Sequence, residues 1–201
     1  MVKRPAVFVD RDGTLISDVG YLCRSDQIRV LPRVPEAIQL LHRHGLGVVL
    51  VTNQSGVARG FITEQELCQI HQEIERRLGR AGAFLDGIYY CPHHPTEGAY
   101  PYRVSCECRK PGVGLVEQAC LDLGLDANRS YVIGDQLIDM ELAARIGAKG
   151  ILIENSTPGS KGKSQWVGAA SVVAVERDFS RASQWVVRDQ CSGTYLKEER
   201  E

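Results

Sequence analysis

Two acids one residue apart, Asp10 and Asp12, close the short apolar run Ala6–Val9 and lead into Gly13 and Thr14. A run of that length and apolarity predicts a buried strand, so both carboxylates are expected at a strand's carboxyl edge, where open α/β sheets gather their reactive groups. Carboxylates this close repel each other, and keeping both ionised calls for a cation. Mg²⁺ suits the position because it takes oxygen ligands and leaves sites for a phosphate and for water. An acidic turn after a strand would also produce an Asp-Gly pair, so the reading depends on what stands at the other strand ends.

Those ends are polar as well. Thr52 and Asn53 follow the apolar residues 48–51, Cys91 and His93 follow 87–90, and Asp135 follows 131–133. Arg109 and Lys110 precede a helix expected from near Pro111, where a cation can reach the same crevice. Three carboxylates, a hydroxyl, a lysine and Mg²⁺ suffice for phosphoryl transfer, in which positioning and charge neutralisation do most of the catalysis. On this reading Asp10 is the nucleophile, forming an aspartyl phosphate. Asp12, expected to point the same way along an extended chain, protonates the leaving alcohol and then takes a proton from water. Thr52 and Lys110 hold phosphoryl oxygens, and Asp135 joins Asp10 and Asp12 around Mg²⁺. Asp139, one turn later, either supports that shell or caps a helix.

A second constellation lies between the third strand and Lys110. Cys91-x-His93 and Cys106-x-Cys108 are separated by twelve residues, and three thiolates with an imidazole satisfy tetrahedral Zn²⁺ with no position left for water. The site is therefore expected to be structural, a staple for a long loop (91–108), with His94 an alternative to His93. Cys108 abuts Arg109 and Lys110, so the zinc would fix the backbone that presents them.

The elements that position these groups alternate. After the first strand, 16–31 has no sustained period and is expected to be a loop over the site, with Asp18, Val19, Gly20 and Tyr21 nearest the acids. A helix from Pro35 turns Ile38, Leu40 and Leu41 to the sheet and stops at Gly45. Thr63 and Glu66 form a capping box for a helix with Leu67, Ile70, Ile74 and Leu78 at spacings of three and four; His71 lies on that helix without an assigned function. Further helices are expected over 112–123, after Asp135, and from Phe179. Strands are expected at 151–153 and, at an edge, 172–175. The loop 155–162 is Ser, Thr, Pro, Gly and Lys, which predicts mobility. This order implies a doubly wound, mostly parallel, Rossmann-like α/β sheet in a single domain over 1–190, with a minimal cap and a frayed tail over 191–201.

Composition narrows the partners. A formal charge of −1 over 201 residues gives no reason to invoke nucleic acid or membrane. No stretch reaches the roughly 20 apolar residues of a membrane span, and Met1 to Pro5 runs into the first strand without a signal-peptide core, so a cytoplasmic monomer is expected. Of seven cysteines, Cys23, Cys68, Cys120 and Cys191 are scattered and expected to be small buried hydrophobes.

With these residues in place the chain resembles the haloacid-dehalogenase (HAD) type phosphatases. DRDGT at Asp10 to Thr14 is similar to their first motif, Thr52 to the second, Lys110 to the third, and Gly134-Asp135 with Asp139 to the fourth. CPHHP at Cys91 to Pro95 and CECRKP at Cys106 to Pro111 resemble the zinc-containing branch that comprises heptose 1,7-bisphosphate phosphatases and histidinol-phosphatases. VTNQSGVARG at Val51 to Gly60 is similar to the heptose branch, whereas the histidinol branch typically carries NQDGLGT. The resemblance implies a HAD-type fold and hydrolysis of the 7-phosphate of D-glycero-D-manno-heptose 1,7-bisphosphate, a small phosphorylated sugar. It also implies substrate contacts at Asp18, Val19, Gly20, Tyr21, Thr52, Asn53, Gln54, Ser55 and Arg109. One departure is Gln136, where many heptose enzymes have lysine. The competing readings are a histidinol-phosphate phosphatase, a phosphatase acting on nucleic-acid ends, and a catalytically silent zinc-stapled scaffold.

Overall fold

The computed structural model describes residues 3–154 and 171–198. Six strands, β1 (Ala6–Val9), β2 (Gly47–Asn53), β3 (Gly87–Cys91), β4 (Tyr131–Gly134), β5 (Lys149–Ile153) and β6 (Val172–Glu176), form one all-parallel sheet in the order β3-β2-β1-β4-β5-β6. Five helices alternate with them: α1 (Val34–Arg43), α2 (Glu64–Arg80), α3 (Gly114–Leu123), α4 (Leu137–Arg145) and α5 (Phe179–Glu198). The chain winds outward from β1 to β3, then returns to β4 beside β1 and winds the other way. Right-handed crossovers therefore place α1 and α2 on one face and α3 and α4 on the other. Val7, Val9, Val48 and Leu50 pack with α1, α2 and α5, while Ala6, Phe8, Val49 and Val51 pack with α3 and α4. Between β1 and β4 the winding direction reverses, which opens a crevice at their carboxyl ends.

The amphipathic signals produce their elements with small shifts. Thr63 caps α2 as expected: its hydroxyl accepts from Glu66 N at 3.2 Å while the Glu66 carboxylate accepts from Thr63 N at 2.8 Å. The inward stripe of α1 is Val34, Ala37, Ile38 and Leu41, and Leu40, expected to face the sheet, flanks that stripe and is half-buried. The helix expected from 112 starts at Gly114, because Gly112 N turns back to Arg109 O at 2.7 Å. A Cβ on Gly112 would lie 2.3 Å from Glu107 O, so only glycine fits this approach of the sulfur-bearing loop to α3.

Two expectations change. Cys68 and Cys191 are exposed, contrary to expectation, while Cys23 and Cys120 are half-buried and pack against the edges of the core. The residues expected to fray from 191 continue α5 to Glu198, with 199–201 outside the described residues. The loop expected at 155–162 also lies outside them. Among the described residues no helix is long and apolar enough to cross a membrane.

Candidate active site

Asp10 leaves the tip of β1, where its N–H donates to Ile133 O of β4 at 3.0 Å and fixes it at the crevice. Lys110 brings a buried ammonium to it. Nζ donates to Asp10 Oδ1 at 2.7 Å and to Asp139 Oδ1 at 2.6 Å, with Lys110 4 % exposed and Asp139 1 %. Burial alone would lower the lysine, but the fields of Asp10 and Asp139 overcome it and hold the ammonium above its ordinary value. Burial pushes the Asp139 carboxyl up to about 6, against the field of Lys110.

Of the two roles open to Asp139 from sequence, the structure shows the helix-terminal one in altered form. It is the third residue of α4, not its cap, and its Oδ2 accepts from Gln136 N at 3.2 Å in a capping box, leaving Oδ1 for Lys110. Gly134 makes room for this: a Cβ there would lie 2.2 Å from Asp139 Oδ2. The glycine of the Gly-Asp pair is thus a space requirement of the carboxylate five residues on.

Asp10, Asp135 and Asp139 each bring a carboxylate oxygen within 4.8 Å of the others, a group that could hold a divalent cation. Lys110 neutralises one of the three charges, so the donor set remains anionic and all-oxygen, which fits Mg²⁺. Asp12 does not join this group as expected. Its carboxylate turns to Arg11, with Nε to Oδ1 at 3.1 Å and Nη2 to Oδ2 at 2.8 Å, and accepts from Gln54 Nε2 at 3.0 Å. The reason is local: beyond Val9 the chain is no longer extended, since Thr14, Leu15 and Ile16 all donate their N–H to Arg11 O. The two-residue alternation of a strand ends before it reaches Asp12. Burial raises the Asp12 carboxyl above its ordinary value although Arg11 pulls it down.

A pocket of about 300 Å³ opens beside these acids, lined by Asp12, Asp18, Gly20, Tyr21, Asn53, Gln54, Ser55 and Gln136 among others. It therefore collects most of the expected substrate contacts. Val19 is exposed and outside the lining, Arg109 donates Nη1 to His93 O at 3.1 Å, and Thr52 is buried with its hydroxyl accepting from Gln54 Nε2 at 2.9 Å. Asn53 does more than line the pocket. Its amide clamps Lys110, donating to Lys110 O at 3.1 Å and accepting from Lys110 N at 2.9 Å, which ties this lysine to β2.

The Cys91, His93, Cys106 and Cys108 ligand atoms lie within 4.8 Å of one another, and no disulfide joins them. Cys108 Sγ is 3.2 Å from both Cys91 and Cys106 Sγ and 3.3 Å from His93 Nδ1, and Cys91 and Cys106 Sγ are 3.5 Å apart. An ion bonded to sulfur at about 2.3 Å would set tetrahedral sulfurs roughly 3.7 Å apart, so the cage has the size for zinc. His94 is engaged elsewhere: Nδ1 accepts from Thr96 N at 3.3 Å and Glu97 N at 3.0 Å, and Nε2 faces Arg59 at 3.4 Å. Of the two histidines, His93 is the one that stands in the sulfur cluster.

Comparison with known proteins places this geometry. Residues 107–173, which hold Lys110, Asp135 and Asp139, match the family model described as "HAD-hyrolase-like". The D-glycero-beta-D-manno-heptose-1,7-bisphosphate 7-phosphatase of Photorhabdus laumondii is 44% identical over 156 residues, covering 77% of this chain and 82% of its own. The Escherichia coli K12 protein of the same name is 39% identical over 168 residues, 81% of this chain and 87% of its own. The chain belongs to the heptose-1,7-bisphosphate 7-phosphatase family. The fold agrees: the solved D,D-heptose 1,7-bisphosphate phosphatase of B. bronchiseptica, complexed with magnesium and phosphate, superposes with a TM-score of 0.74 at 28% identity, over 92% of this chain and 99% of that one. This heptose-phosphatase family member therefore has the HAD fold, with helices on both faces of a parallel sheet.

Two parts of the site in this family member escape sequence reading. Asn53 was expected against substrate, and its clamp on Lys110 spans 57 residues. Arg11 and His71 carried no assignment, yet Arg11 is 1 % and His71 5 % exposed, and Arg11 Nη1 lies 3.4 Å from His71 Nε2. Burial first and Arg11 second push His71 down to about 3, so it is neutral. The available signal was its spacing: four residues after Leu67, on the inward face of α2.

Proposed function

We propose that the chain is a Mg²⁺-dependent phosphatase that hydrolyses the 7-phosphate of D-glycero-D-manno-heptose 1,7-bisphosphate and leaves the 1-phosphate. What carries the reading is one juxtaposition: Asp10 at the β1 tip, paired with buried Lys110 and beside Asp135, next to a pocket whose wall includes Asp12. Asp10 attacks phosphorus, Asp12 hands a proton to the departing sugar oxygen, and Asp12 then accepts a proton from the water that releases phosphate from Asp10. Thr52 and Lys110 orient phosphoryl oxygens. Asp10 and Asp135 would hold Mg²⁺, with Asp139 kept in place by Lys110; the ion supplies charge neutralisation on the phosphoryl group. Cys91, His93, Cys106 and Cys108 would hold a structural Zn²⁺ that shapes the segment before Arg109.

All of these groups come from one chain, so a monomer on a single domain in the cytoplasm completes the reading. Arg109 and the loop bearing Asp18, Val19, Gly20 and Tyr21 would meet the sugar and its second phosphate. A silent scaffold is disfavoured, because burying Lys110 against two acids costs several kcal/mol and serves no partner surface. The test is phosphate release by purified protein with Mg²⁺ from both anomers of the heptose bisphosphate, the β anomer named in the relatives first, alongside histidinol phosphate. Faster turnover of the heptose ester supports the reading. Faster turnover of histidinol phosphate assigns the sibling activity, and no turnover of either favours the scaffold.

A further inference from the structure

Arg11 has no part in the mechanism above, yet it is the largest of the fully buried side chains. A guanidinium in that volume carries a desolvation cost that leucine or methionine would not. Its fork lies flat on Asp12, through Nε to Oδ1 at 3.1 Å and Nη2 to Oδ2 at 2.8 Å, and its third nitrogen backs onto His71 Nε2 at 3.4 Å. His71 is itself seated against the Tyr90 ring, 5.4 Å between centroids. A planar fork held at both ends fixes the plane of the carboxylate it grips, which an ammonium cannot do.

The grip is uneven. Oδ2 of Asp12 takes Arg11 Nε at 3.2 Å, Arg11 Nη2 at 2.8 Å and Gln54 Nε2 at 3.0 Å, whereas Oδ1 takes only Arg11 Nε. Oδ1 keeps a lone pair for a proton. We propose that Arg11 and His71 are positioning residues for acid–base transfer: His71 anchors Arg11, and Arg11 presents Oδ1 of Asp12 as the proton-carrying oxygen. The inference rests on the phosphatase reading and deepens it. In the first step an Asp10 oxygen bonds to phosphorus, the bond from phosphorus to the sugar oxygen breaks with its electron pair on that oxygen, and the Oδ1 proton moves there. In the second, water bonds to phosphorus, its proton goes to Oδ1, and the bond from phosphorus to Asp10 breaks. Arg11 touches none of the reacting atoms; a displacement of about 1 Å in the acid can cost on the order of 10²-fold.

Two esters separate this role from a merely structural one. kcat/KM, which reports steps through departure of the first leaving group, is measured with Mg²⁺ on the heptose bisphosphate and on p-nitrophenyl phosphate, whose phenolate leaves without a proton. Arg11→Lys and His71→Phe are expected to lose roughly 30-fold more on the sugar ester than on the aryl ester. His71→Gln, whose amide oxygen can accept the Arg11 N–H, is expected to keep the parent ratio. The first two variants should also show a burst of p-nitrophenol, because water activation needs the same Asp12. Equal losses on both esters would overturn the inference, as would no loss on either. If Arg11→Lys fails to fold, the His71 pair carries the comparison. A parent protein inactive on both esters would overturn the phosphatase reading itself, whereas equal losses with an active parent overturn only the positioning role.

Discussion

The acid group and the sulfur group sit at the same edge of the sheet and are held in opposite ways. Asp10 and Asp135 follow the tips of β1 and β4, Asp139 lies in the first turn of α4, and the Lys110 ammonium stands among them at 2.7 and 2.6 Å. Cys91 ends β3, but its three partners lie in the segment 92–113, which forms neither helix nor strand. Their ligand atoms meet one another, with no ammonium between them. The acids thus have an internal cation beside them before any metal arrives, while a metal held by the sulfur cage would be what fixes its shape. Metal at the first should govern rate, and metal at the second stability.

The largest expected effect belongs to the acids. Asp10→Asn should lower turnover by about 10⁵-fold while leaving the melting temperature close to that of the parent, measured by phosphate release and scanning calorimetry. Cys108→Ser should invert that pattern. Zinc content by elemental analysis falls to zero and the melting temperature drops by roughly 10 °C, and a rate change beyond the loss of folded protein would mean the cage also steers Arg109 and Lys110.

Lys110→Met tests the comparison from the other side, since it leaves the acids without their cation. Destabilisation of roughly 3 to 5 kcal/mol is expected. Added Mg²⁺ should then raise the melting temperature of the variant more than that of the parent. An equal rise would show that the ammonium is not what holds the acids in place.

Much of this was legible in the sequence because it is local. Strand ends, the Thr63 capping box and the paired Cys and His motifs lie within a few residues of one another. What escaped was of two kinds. The turn that follows Val9 redirects Asp12 from the metal group to Arg11, and no periodicity announces where a strand stops alternating. The Asn53 clamp on Lys110 and the Arg11 contact with His71 join residues 57 and 60 positions apart, a separation over which pattern carries no information.

Smaller effects sharpen the picture. His71 is depressed to about 3 in the folded chain from 6.5, so as pH falls the unfolded chain takes up the proton first. Its stability contribution is whole above about pH 6.5 and is lost progressively towards about pH 3, at no more than about 1.4 kcal/mol per unit. His71→Gln should flatten that slope in urea titrations run at several pH values. Least of all, Gln136→Lys adds a cation at the pocket rim and should lower KM for the bisphosphate by roughly threefold at low salt, with kcat little changed. An equal gain for a monophosphate would show that the cation serves the reacting phosphate instead of the second one.

The central strand has one more implication. Phe8 is in register with Val49 on one side and Val132 on the other, so Asp10 emerges from a strand paired along both edges, while Asp18, Gly20 and Tyr21 reach the pocket from a connecting loop. The proposed reaction and its recognition of substrate would therefore be built on separable pieces of chain. Grafting a different 16–31 segment onto this scaffold should yield phosphatases of altered appetite that all cleave by the same chemistry.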